Sequence, residues 1–195
     1  STLAKTGFTF AGWNTTANGD GTSYAEGATN VSATADLILY AKWSAATYSV
    51  TYVANGATST LPTQSPVQFG NTFQVAAAAS QNGKTFTGWS DGTTIVNPGV
   101  TYYVATSPVT LTAQWSAISY SVTYDLGGGQ GTLPTQANGS ISSTFTLPAS
   151  SSNPTWIAHA FTGWSDGAAL YAAGSTYTFG ASDVTLTAQF SLNGY

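Results

Sequence analysis

Phe86-Thr87-Gly88-Trp89 decides how this chain is read, because it occurs three times. Phe10-Ala11-Gly12-Trp13 and Phe161-Thr162-Gly163-Trp164 are the other copies, and successive tryptophans stand 76 and 75 residues apart. A closing pattern follows each copy: Leu39-Tyr40-Ala41-Lys42-Trp43, Leu111-Thr112-Ala113-Gln114-Trp115 and Leu186-Thr187-Ala188-Gln189-Phe190. An opening pattern precedes two of them, Tyr48-Ser49-Val50-Thr51-Tyr52 and Tyr120-Ser121-Val122-Thr123-Tyr124, 72 residues apart. Gly27, Gly99 and Gly174 each lie 16 residues before the end of a closing pattern. Self-similarity at a fixed period is the signature of an array. Tandem copies of a small module supply length, avidity or a repeated surface more readily than one asymmetric catalytic pocket.

Within a copy the residues read as strands. Tyr120, Val122 and Tyr124 alternate with Ser121 and Thr123, the period-two pattern of a half-buried strand. Asn55-Gly56 and Leu126-Gly127-Gly128-Gly129-Gln130-Gly131 end the opening strand in turns. Leu61-Pro62-Thr63-Gln64 and Leu133-Pro134-Thr135-Gln136 follow, and a second strand is expected over about 67–75 and 141–147. Ala76 to Ala79 reads as a loop or a short helix. In Phe-x-Gly-Trp, strict alternation puts Phe and Gly on one face and Trp on the other, or else the glycine lets a neighbouring chain approach. Ser90-Asp91-Gly92 and Ser165-Asp166-Gly167 read as turns. In the closing strand Val109, Leu111, Ala113 and Trp115 face inward, with Val184, Leu186, Ala188 and Phe190 repeating them.

These patterns, in this order and spacing, resemble the Listeria–Bacteroides repeat, or internalin B-repeat, family of bacterial surface proteins. The resemblance covers nearly the whole chain. Phe190 departs from it where a closing Trp is expected, and so do Lys84 and His159 at the position of Phe8. It implies a mainly β fold of tandem, small β-grasp-like modules in an elongated array, an extracellular location on a bacterial surface, and no catalytic residues. The expected modules are an incomplete one at 1–44, complete ones at 45–116 and 117–191, and the start of a further junction or an end at 192–195. The first copy lacks its opening half, and Tyr195 falls where another opening strand would begin. The 195 residues therefore read as a piece of a longer array, or as a subunit whose first module is completed by another chain.

Composition narrows the function classes. Charged residues make up only 5 %, while 42 % are apolar and 13 % aromatic, so the polar surface must come from Ser, Thr, Asn, Gln and Gly. Three lysines, no arginine and a net charge of −4 leave no basic stripe for nucleic acid. No apolar run is long enough for membrane insertion. Cysteine and methionine are absent, so disulfides and thiolate chemistry are excluded. Seven acidic residues, no two within four positions, do not suit paired-carboxylate catalysis.

Candidate chemistry is sparse. The 127–131 glycine loop lacks the Lys-Ser/Thr that follows in a phosphate loop. Asp91-Gly92 and Asp166-Gly167 lack the neighbouring acids of a calcium cage. His159 is the sole histidine, with no nucleophile elbow to serve. Lys5, Lys42 and Lys84 would have to be buried beside an Asn and an acid to form an isopeptide cross-link. Asn14, Asn30 and Asn138 stand in glycosylation-type triplets. Trp156 lies on a loop three residues longer than its counterpart in the preceding copy, and it is the candidate ligand contact. No catalytic residue, cofactor or metal is expected. The expected function is a non-enzymatic stalk or spacer of an adhesin. Its partners are neighbouring repeats or other copies, and host protein or glycan reached through the parent protein. The alternatives are a filament subunit completed by strand addition and a carbohydrate-binding module.

Overall fold

A computed structural model describes residues 3–29, 31–32, 35–149 and 153–194. The described residues form strands and no helix. By internal contacts the chain divides into two compact units, Ser1–Gln81 with Phe86–Trp115, and Asn82–Thr85 with Ser116–Tyr195.

The first unit holds two sheets built on one plan. β4 (Thr47–Val53) is the opening strand and β10 (Val109–Ala117) the closing strand. They pair in parallel, Val50 opposite Val109 and Tyr52 opposite Leu111. β5 (Gln64–Gln68) flanks β4, while β7 (Lys84–Ser90) and β8 (Ile95–Val96) extend the other side, giving the order β5-β4-β10-β7-β8. Inward residues of the central pair bury fully: Val50, Tyr52, Val109, Leu111 and Ala113 join Trp89 in one core. A separate two-stranded antiparallel sheet of β6 (Thr72–Gln74) and β9 (Thr101–Tyr103) contributes Phe73 to it. The expected second strand is thus two strands with different partners, parted by a turn at Gly70, whose φ of 81° suits glycine. Ala76–Ala79 is loop, not helix: four alanines are too few to nucleate one, and Ala79 is used as core.

The other sheet of this unit has only three strands, in the order β2-β1-β3: β1 (Phe8–Asn14), β2 (Ser23–Tyr24) and β3 (Tyr40–Ala45). They correspond to β7, β8 and β10.

The second unit repeats the plan with β11 (Val122–Asp125), β13 (His159–Ser165), β14 (Leu170–Tyr171) and β16 (Val184–Leu192), in the order β11-β16-β13-β14. β11 and β16 pair in parallel in the same register, Val122 opposite Val184 and Tyr124 opposite Leu186. β12 (Thr144–Thr146) and β15 (Thr176–Thr178) form the matching two-stranded antiparallel sheet. The finer expectation of a β-grasp-like module rests on the strand order alone, since no helix is present among the described residues.

Phe-x-Gly-Trp departs from strict alternation. The pairing of β13 with β16 shifts between Phe161 and Gly163, and that of β1 with β3 between Phe10 and Trp13. The glycine takes a positive φ in every copy, 103° at Gly12, 139° at Gly88 and 148° at Gly163. This bulge resets the two-residue period, so Phe and Trp meet instead of facing apart. Their rings lie edge to face at 5.3 Å, 5.2 Å and 5.4 Å in the three copies. A Cβ at Gly163 would overlap the Tyr171 carbonyl of β14, so the close approach of a neighbouring strand is what requires glycine here.

A second repeated device joins a turn to the residue that directly follows the closing strand. The Ala46 amide donates to the Gly7 carbonyl (2.9 Å) and the Ala46 carbonyl accepts from the Phe69 amide (2.7 Å). The Phe69 ring sits where a Cβ at Gly7 would be. Within the second unit Ile118 donates to Gly83 (3.1 Å), and Ile141 occupies the Cβ position of Gly83. At the third copy Asn193 donates to Ala158 (2.9 Å), a non-glycine residue held at φ 60°.

Candidate functional site

The Asp-Gly turns are built as locks. The Asp91 carboxylate accepts from the amides of Thr93 and Thr94 (both 2.8 Å), from the Thr93 hydroxyl (2.7 Å) and from the Tyr102 hydroxyl (3.0 Å). Backbone and hydroxyl donors hold its pKa far below the ordinary carboxylate value. Asp166 accepts from Ala168, Ala169, Tyr171 and Tyr177. Desolvation pushes its pKa up, but these donors outweigh it and the net shift is downward. Carboxylates saturated by such donors have few lone pairs left for a cation. No cluster of three or more His, Cys, Asp or Glu exists among the described residues.

The glycine loop is likewise turned inward. The Gly127 amide donates to Asp125 (2.7 Å), Gly129 to Leu126 (2.9 Å) and Gln130 to Thr155 (2.7 Å), so these amides are not presented to an anion. His159 Nδ1 lies 2.8 Å from the Ile157 carbonyl, and its ring stacks on Trp156. Lys5, Lys42 and Lys84 are all exposed, without the burial an isopeptide bond needs; Lys5 lies 4.3 Å over the Phe8 ring. Asn14 is buried, its amide donating to Gly19, Gly21 and Ser23, which closes that triplet to modification. Asn30 lies outside the described residues, and Asn138 is exposed.

Trp156 is 43 % exposed, at the start of a turn. Thr155 and Gln130 exchange backbone hydrogen bonds (2.7 and 2.8 Å), and Thr58 donates to Ser80 at the matching place of the preceding copy. Trp156 therefore occupies the position of Gln81 and Lys5, five residues before the Phe of Phe-x-Gly-Trp, and the three extra residues lie upstream of it. Its ring stacks on His159 at 4.4 Å and meets Phe190 edge to face at 5.4 Å. The pairing has a counterpart. Trp115 donates its indole N–H to the Asn55 carbonyl (2.9 Å), which Phe190 cannot do. Where the closing Trp becomes Phe, the turn position becomes Trp and packs against it while staying exposed, an exchange legible only when Phe190 and Trp156 are read together. A cleft of about 310 Å³ remains, lined by Gly128, Gln130, Thr155, Trp156 and Ile157.

The residues recurring in all copies thus form cores, bulges and turns. The family model of the Listeria-Bacteroides repeat domain matches residues 1–42, 48–114 and 120–189. The chain belongs to this family. Two proteins of Evansella cellulosilytica are similar to this Listeria-Bacteroides repeat chain. One, named as a Gly-rich membrane protein, is 30 % identical over all of the chain and 22 % of its own length. The other, named as a membrane protein, is 28 % identical over 83 % of the chain and 24 % of its own length. The chain therefore spans about a quarter of these relatives or less. No solved structure matches it. No helix among the described residues is long and apolar enough to cross a membrane.

Proposed function

We propose that the chain is a non-enzymatic structural segment of a bacterial cell-surface protein, a stalk or spacer in an adhesin that lies outside the cell. One observation carries this reading: the side chains repeated in the two complete modules are spent on the fold. Trp89, Trp164, Leu111 and Leu186 are fully buried, and Asp91 and Asp166 close turns. The relatives' names, with their mention of membrane, agree with a place at the cell envelope. The partners are then neighbouring repeats or further copies, and host protein or glycan reached through the rest of the parent protein. Nucleic acid is not among them.

The reading is tested in the parent protein by deleting residues 45–116 and by replacing them with an unrelated rigid spacer of equal length. Surface display of the distal part should fall on deletion and return with the unrelated spacer. Failure of that spacer would overturn the proposal. A filament completed by strand addition is the second reading, favoured by β3, whose second side has no strand partner among the described residues. Carbohydrate binding rests on the Trp156 cleft, and glycan binding by the isolated chain, lost in Trp156→Ala, would promote it over the spacer.

A further inference from the structure

The central strands do not tell the two complete modules apart. Val50 and Tyr52 bury against Val109 and Leu111, and Val122 and Tyr124 against Val184 and Leu186, in one register. Judged by these side chains alone, β4 could sit on β16 as well as on β10. The opposite error, β11 on β10 of its own chain, is closed off. Only four residues part those strands, and a parallel pairing needs a crossover of about a dozen. Strand exchange between like neighbours is a characteristic failure of repeat proteins.

Two pairs of positions differ between the modules in a matched way. Val67 pairs with Tyr48, and Gly139 pairs with Tyr120 at the same place. The Val104 amide donates to the Asn71 carbonyl (3.0 Å), and the Phe179 amide donates to Ser143 at the corresponding place (2.9 Å). Val67 and Val104 lie in one buried core. In the second module these valines become a glycine and a phenylalanine, and a Cβ at Gly139 would overlap the buried Phe179 ring. The second pair is Gln81 with Trp115 in one module and Trp156 with Phe190 in the other. The Gln81 side chain lies against Gly56 as Trp156 lies against Gly128. In each pair one member precedes Phe-x-Gly-Trp and the other follows it.

We propose that these matched differences are an identity key, which keeps the opening half of the first module off the closing half of the second. The mismatch is concrete. β5 travels with β4, so β4 on β16 would drive Val67 into Phe179, a buried ring with no room to swing aside. Gln81 would stand where Phe190 packs against an indole. Each module's own halves fit, so the key acts on the exchanged pairing and leaves the correct one intact. The proposal is independent of the spacer reading, since any tandem array has to fold module by module.

The chain has no cysteine, so an introduced disulfide can report strand pairing. Thr51 lies opposite Thr110, and Thr185 opposite Thr123. Thr51→Cys and Thr185→Cys together therefore join only where β4 lies on β16. The full chain carrying both is refolded from denaturant under oxidising conditions. The disulfide, within a chain or between chains, is measured by mass spectrometry in the protease-resistant fraction, so that unfolded chain does not contribute. With the key intact it should be scarce. Gly139→Val, Phe179→Val, Trp156→Gln and Phe190→Trp together give the second module the first module's key, and the disulfide should rise several-fold. A second variant makes the modules alike the other way, through Val67→Gly, Val104→Phe, Gln81→Trp and Trp115→Phe, and does not depend on how the first one folds. A rise in either variant supports the key. An abundant disulfide with the key intact, or no rise in either variant, overturns the proposal.

Discussion

The two complete modules share a frame and differ in how they finish it. Tyr52 and Trp89 meet edge to face at 4.7 Å, and Tyr124 and Trp164 at 4.9 Å. In the first pair both polar ends are satisfied at Ala76: its amide donates to the Tyr52 hydroxyl (2.8 Å), and its carbonyl accepts from the Trp89 indole (3.3 Å). The matching residue of the other module is Pro148, which has no N–H to give. The Tyr124 hydroxyl and Trp164 indole nitrogen are buried with no partner among the described residues. Burial also raises the Tyr124 pKa. The apolar frame tolerates repetition with drift, and the drift collects in polar detail. One N–H lost in a loop can leave a tyrosine hydroxyl without its donor while the packing of two rings is unchanged; Pro148 keeps its carbonyl, so it does not account for the Trp164 indole nitrogen.

Four measurements break or sharpen this comparison. The largest effect belongs to what the modules share. Trp89→Ala and Trp164→Ala should each cost about 3–5 kcal/mol, with each loss confined to its own module's unfolding transition in calorimetry. Equal losses would mean that the frame, not the polar finish, sets stability. Next comes the turn. Gly83→Ala forces a side chain into a left-handed conformation at φ 69° and against Ile141, at a cost of about 1–2 kcal/mol or more. Ala158→Gly at φ 60° should act with the opposite sign, stabilising by less than about 1 kcal/mol in denaturant melts.

Tyrosine hydroxyls separate the modules most sharply. Tyr52→Phe should cost about 0.5–1.5 kcal/mol by breaking a made hydrogen bond. Tyr124→Phe should be neutral or stabilising, because it removes a buried hydroxyl with no partner. The smallest effect is on pH dependence. The folded pKa values of Asp91 and Asp166 lie below their unfolded values. Their contribution is therefore complete above about pH 4 and is lost as pH falls toward the folded values. Asp91→Asn should flatten the acid limb of the first module's stability curve, leaving that of the second unchanged.

The sequence reveals the repeat, the opening and closing strands and their inward faces, because apolar alternation and fixed spacing state them directly; that these two strands pair in parallel is recorded only in the structure. It misleads at Phe-x-Gly-Trp, where a one-residue bulge turns opposite faces into the same face and only a backbone angle records it. The two-stranded side sheets are faint, since Thr72–Gln74 and Thr101–Tyr103 are three residues each and pair far apart in the chain. Trp115 and Phe190 read as core yet are only partly buried, lying near the sheet's end where their ring edges reach Asn55 and Trp156. Trp156 looks unique along the chain, and its alignment on Gln81 and its packing against Phe190 emerge only in the structure, where it stays exposed. Its longer loop falls largely on residues 150–152, outside the described ones.

The parallel pairing of opening and closing strands also decides how a module meets tension. β4 begins its module, β10 ends it, and the two lie side by side. A force that draws the module's ends apart pulls one strand backwards along the other. The load falls in shear on all the bonds between Val50–Val53 and Val109–Thr112 together, whereas a hairpin gripped at its open end peels one bond at a time. β11 and β16 repeat the geometry. Resistance to being stretched is thus set by strand order, independently of how stable the module is to heat.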